Sequence, residues 1–90
     1  MSKTMTKYKH CRVQFPKISN VWDFVEIINR YKLHGVFICE DRHICANSLM
    51  GILSLNLSRP LILEIDRPDS EDFADFLIVC NSFDLKIQEV

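Results

Sequence analysis

Ala46-Asn47-Ser48-Leu49-Met50-Gly51-Ile52-Leu53-Ser54-Leu55-Asn56-Leu57-Ser58-Arg59-Pro60 contains a strand end, a helix start, a short helix, a break and the entry to another strand. Asn47 or Ser48 supplies the cap, because either side-chain oxygen can accept from the unbonded backbone N–H groups of a first helical turn. Leu49, Ile52 and Leu53 recur at helical spacing, with Met50 on a neighbouring face. Arg59-Pro60 closes the segment, since the residue before a proline is pushed out of the helical region.

Outward from this stretch the chain alternates strand and helix signals. Upstream, Tyr8–Phe15 places Cys11, Val13 and Phe15 on one side and His10, Arg12 and Gln14 on the other, the pattern of a half-buried strand. Pro16-Lys17-Ile18 turns the chain, and Ser19 or Asn20 is expected to start a helix with Asp23 in its first turn. Val21, Phe24, Val25, Ile28 and Tyr31 form its apolar stripe, with Trp22 and Ile27 off it. Leu33-His34-Gly35 reads as the stop, Gly35 supplying a left-handed cap or a turn. Val36–Glu40 and His43–Ala46 are expected as strands around a tight Asp41-Arg42 turn.

Downstream, Leu61–Ile65 alternates as a strand. Pro68-Asp69-Ser70 opens a third helix, with Glu71 and Asp72 in its first turn and Phe73, Phe76, Leu77 and Cys80 as its buried stripe. Phe83, Leu85 and Ile87 alternate with polar residues, so 83–90 is a tail or a short extra strand. The expected order is βαββαβα, an α+β open-faced sandwich with an antiparallel sheet and three helices on one face.

Ninety residues make one small domain that buries about 65% of the surface of its unfolded chain. A net charge of −1 carries no electrostatic footprint for nucleic acid or an anionic membrane. The longest apolar run, Phe76–Cys80, is far short of the roughly 20 residues a membrane span needs. Met1–Thr6, expected to be frayed, is too short and polar for a secretory signal, so a cytoplasmic protein is expected. Cys11, Cys39, Cys45 and Cys80 are scattered without a C-x-x-C pair and read as small buried thiols rather than as a metal or disulfide framework.

The run Asn47–Leu57, followed by a turn and an apolar strand, resembles the second-helix region of HPr, the histidine phosphocarrier family of the bacterial phosphoenolpyruvate–sugar phosphotransferase system. In element order the resemblance spans roughly 8–80. It implies a sheet of strand order 1-4-2-3. In that family a serine opening this helix is a regulatory phosphorylation site, and Ser48 matches it; Leu49, Met50 and Leu53 match the docking surface for partner enzymes. The family's phospho-accepting histidine, at the start of the first helix and followed by Arg and Pro, falls at Lys17 when counted back without gaps from Ser48. A lysine amine, protonated at neutral pH, is a poor nucleophile.

His10, His34 and His43 lie elsewhere, in a strand, after the first helix and in the hairpin. No His/Cys/Asp/Glu cluster has metal spacing, and two glycines cannot build a phosphate loop, so no cofactor or metal is expected. Asp41, Asp66, Asp69 and Asp72 read as turn and cap residues. Three features remain as carriers of function. Ser48 is a helix cap or a phosphorylation site. Ile18, Trp22, Leu49, Met50 and Leu53 form an apolar face for a protein partner or a weak homodimer. Lys17, Ser19 and Asn20 are candidates to hold an anion at a helix start.

The expectation is therefore an HPr-like docking or regulatory module without phosphocarrier activity. A small-ligand-binding βαββαβ domain of the ACT type, with its pocket between helix and sheet, is the alternative. A carrier with a displaced acceptor residue ranks third.

Overall fold

The computed structural model describes residues 8–66 and 69–90, so the expectations for Met1–Thr6 and for Pro68 lie outside the described residues. Eight elements follow in order: β1 (Tyr8–Gln14), α1 (Ser19–Arg30), β2 (Gly35–Cys39), β3 (Arg42–Cys45), α2 (Leu49–Leu53), β4 (Leu61–Asp66), α3 (Ser70–Ser82) and β5 (Lys86–Glu89). All belong to one small α+β domain. The sheet runs β3-β2-β4-β1-β5, and every neighbouring pair is antiparallel. The first four strands therefore stand in the order 1-4-2-3, and 83–90 contributes a fifth strand beyond β1.

Alternation decides the two faces. Cys11 and Val13 pair with Leu63 and Leu61, and Phe37 pairs with Leu63, so these side chains share the face on which the core forms. Phe24 of α1, Ile52 of α2 and Phe76 of α3 join the same buried cluster. At its centre the Phe24 ring lies 5.6 Å from Phe15, 5.4 Å from Phe37 and 6.0 Å from Phe76, in edge-on or tilted contacts. The space between helices and sheet, where a ligand-binding domain of the alternative kind would keep its pocket, is filled by these rings. Ile27, off the apolar stripe, is buried as well, so the covered face of α1 is wider than the stripe.

The elements agree with their expected types, and the differences lie at their ends. α1 has no acidic residue in its first turn, so Asp23 sits beyond it, and neither Ser19 nor Asn20 caps it. Asn20 instead accepts, through Oδ1, the backbone N–H of Lys17 at 2.9 Å. The second residue of the helix thus reaches back three positions, as the glutamate or glutamine of a capping box does, to the residue before the cap Ile18. The stop of α1 is not Gly35. Lys32 takes the left-handed conformation (φ 55°), Leu33 N–H donates to the Ile28 carbonyl and Lys32 N–H to that of Asn29. That pattern is a Schellman motif built without glycine.

α3 ends the same way around Asp84 (φ 67°), with Leu85 N–H donating to the Cys80 carbonyl. Gly35 opens β2 for another reason: a Cβ there would lie 3.0 Å from the Glu64 carbonyl oxygen. The hairpin turns on Glu40-Asp41 rather than Asp41-Arg42, because Cys39 pairs with Arg42. Glu40 carries the positive φ of 54° that mirror-image hairpin turns need at their first central position.

Candidate functional site

Ser48 is the cap of α2. Its backbone is extended (φ −98°, ψ 101°) and its Oγ accepts the Gly51 N–H at 3.2 Å. The helix it opens is five residues long and turns Ile52 fully inward. Leu49 and Leu53, expected on a docking surface, are half-buried and pack on the core, whereas Met50 stands 78% exposed. At the start of α1, Ile18 is 63% and Trp22 51% exposed. α1 and α2 pack against each other, so both exposed sets belong to one helical layer. Large apolar side chains left in water on packed helices suit contact with another protein.

The anion site is weaker than its sequence suggests. Lys17 N–H is taken by Asn20 Oδ1, Asn20 N–H donates to the Lys17 carbonyl and Val21 N–H to that of Ile18. Asn20 is 3% exposed, and its Nδ2 donates to the Phe83 carbonyl at 3.2 Å. Both ends of its amide are engaged inside the protein, which removes Asn20 as an anion ligand. Lys17 and Ser19 remain exposed at the helix start.

No histidine stands at this helix start. His10 sits in mid-β1, where its Nε2 pairs with Glu64 Oε2 at 3.0 Å, while His34 and His43 lie in the loop before β2 and in β3. Among the described residues no group of three or more His, Cys, Asp or Glu side chains could hold a metal ion. Two cysteines match the expectation of buried thiols. Burial pushes the Cys11 thiol up to about 11, with the Glu89 carboxylate adding to the rise and Lys9 opposing it. Burial, with Cys11 beside it, takes Cys80 up to about 12. Neither is a nucleophile at neutral pH. Cys39 is half-buried, and Cys45, against expectation, is exposed at the sheet edge.

Sequence reasoning missed two features. One is the Asn20–Phe83 bond, which joins residues 63 positions apart and has no local signal. The other is a recess of about 570 Å³ on the sheet's helix-free face, lined by Tyr8, His34, Val36, His43 and Glu64 among others. The polar side of each strand hinted at that face but not at a hollow in it.

The class these observations define is a small α+β domain with a filled core, an apolar helical surface and no recognisable catalytic cluster among the described residues. Comparison with known protein families, with characterised proteins and with solved structures finds no match. Among the described residues no helix is long and apolar enough to cross a membrane.

Proposed function

We propose that this chain is a protein-docking module of the HPr kind that presents Ile18, Trp22 and Met50 to a partner of the phosphotransferase type and carries no phosphoryl group itself. The observation that carries the reading is the exposure of these three large apolar side chains on the mutually packed α1 and α2. The strand order 1-4-2-3 among β1 to β4 and the Asn47–Leu57 run support the kinship with HPr. Lys17 at the histidine's place supports the loss of phosphoryl transfer. Ser48 is the candidate regulatory residue. Its hydroxyl sits at a helix start, where an added phosphate meets favourable backbone dipoles.

The test is a titration of the isotope-labelled chain with bacterial enzyme I, followed by backbone and indole N–H shifts. Saturable shifts at Ile18, Trp22 and Met50 are expected, with affinity falling at least roughly tenfold in a Trp22→Ala, Met50→Ala double variant. Absence of shifts, or shifts indifferent to the double variant, removes the reading.

A further inference from the structure

The face of the sheet turned away from the helices is not flat. Cross-strand register puts His10 opposite Glu64, Glu64 opposite Val36, and Val36 opposite Cys45. Tyr8 lies opposite Asp66 in the next outward-facing row. These side chains alternate with the buried Leu63, Ile65 and Phe37, so they stand on the opposite face from the core. Around Glu64 this face hollows into the recess of about 570 Å³, within the size range of small-molecule sites.

Its chemistry is asymmetric. Val36 contributes apolar lining, Tyr8 an aromatic ring, His34 and His43 imidazoles, and Glu64 and Asp66 carboxylates. Glu64 is the informative group. Its side chain is 28% exposed, and its Oε2 pairs with His10. An ionised carboxylate has about four acceptor positions, and the histidine takes one. Oε1 receives no hydrogen bond from any described residue, which leaves it for a donor coming from outside.

We propose that this recess binds a small organic cation, a primary ammonium on an apolar or aromatic body, with the ammonium on Glu64 and the body over Val36 beside the Tyr8 ring. A charge-assisted bond to a partly desolvated carboxylate and contact of the apolar body with Val36 and the phenol ring act together in this arrangement. The site lies on the opposite face of the sheet from the helices that carry Ile18, Trp22 and Met50, and the proposal does not depend on the docking function.

The probe is 2-phenylethylamine at pH 7, titrated into the labelled 90-residue chain, with the neutral 2-phenylethanol as its counterpart. Saturable shifts centred on the Val36, Cys45 and Glu64 amides are expected, at least roughly tenfold weaker for the alcohol. Glu64→Gln is expected to cost the amine a similar factor while leaving the alcohol unaffected, and Val36→Trp, which fills the hollow, to abolish both. A dispersed spectrum of each variant establishes that it is folded. Equal binding of amine and alcohol, amine binding indifferent to Glu64→Gln, shifts confined to another surface, or no saturation with the amine each overturn the proposal.

Discussion

Asn20 and Phe83 are joined by a single hydrogen bond, Asn20 Nδ2 to the Phe83 carbonyl at 3.2 Å, and this bond ties the start of α1 to the end of α3. The same amide holds the Lys17 N–H. A buried side chain thus satisfies the backbone donor of Lys17, just ahead of α1, and the orphan carbonyl of Phe83 at the end of α3. Replacing Asn20 by Ala strands both groups. The expected loss is about 2–3 kcal/mol in urea unfolding, two bonds at about 1 kcal/mol or more each. Asn20→Asp keeps the acceptor for Lys17 but loses the donor and buries a carboxylate against the Phe83 carbonyl oxygen, so it is expected to be no more stable than the alanine variant. A loss under about 0.5 kcal/mol for Asn20→Ala contradicts the role assigned here.

Capping by Ser48 makes a second prediction. Ser48→Ala is expected to cost about 1 kcal/mol and Ser48→Gly only a few tenths, as for other serine caps. Thermal melts of the three proteins read this ranking directly. Equal melting of the serine and alanine forms would sink it.

Gly51 tests packing against propensity. Alanine is favoured over glycine inside a helix by about 1 kcal/mol. A Cβ at Gly51, however, would come 2.7 Å from Ile44 Cγ2 and 2.9 Å from Ser48 Oγ. Overpacking costs typically about 1–3 kcal/mol, and displacement of the Ser48 hydroxyl adds the loss of the cap. Gly51→Ala is therefore expected to destabilise the protein by about 1 kcal/mol or more, and a stabilised variant would show that the contact relaxes without cost.

The core thiols set an alkaline limit. Cys11 and Cys80 ionise at about 11 and about 12 in the folded protein against 9.0 ordinarily, because burial disfavours the thiolate. With the folded values raised, the native state holds protons that the unfolded chain releases. This contribution is whole below pH 9 and is lost as pH rises from there through the folded values. Unfolding free energy measured from pH 8.5 to 11 is expected to fall with a slope that Cys80→Ala makes shallower. In native protein a thiol reagent is expected to modify Cys45 first and to leave Cys11 and Cys80 untouched. Rapid labelling of Cys80 would be the opposite result.

Phosphoryl transfer gives the most direct check on Lys17. Incubated with phosphoenolpyruvate and bacterial enzyme I beside a genuine HPr, this chain is expected to show no added phosphoryl mass while the control does. A phosphorylated chain would overturn the inference from Lys17, and mapping the modified residue would then locate the acceptor.

Local patterns carried much of this molecule. Alternation in 8–15 and 61–65, the stripe of α1, and the caps Ser48 and Asp69 are properties of neighbouring residues, and periodicity with side-chain chemistry is enough to read them. Asp69, for example, accepts from the Glu71 and Asp72 N–H groups two and three residues on. Sequence could also say that Trp22 lay off the buried stripe. What no local pattern contains is the joining of distant segments. The tail became β5 because β1 offered it an unpaired edge, Asn20 turned from an expected cap into a buried link because Phe83 arrived beside it, and Gly35 was needed because the Glu64 backbone passes 3.0 Å from where its Cβ would be. The left-handed conformations at Lys32 and Asp84 follow from how each helix must close onto the next strand, which outweighs their modest strain. Helix and strand type are settled over a few residues; helix ends, edges and recesses are settled by which segments meet, and that is a property of the folded sheet alone.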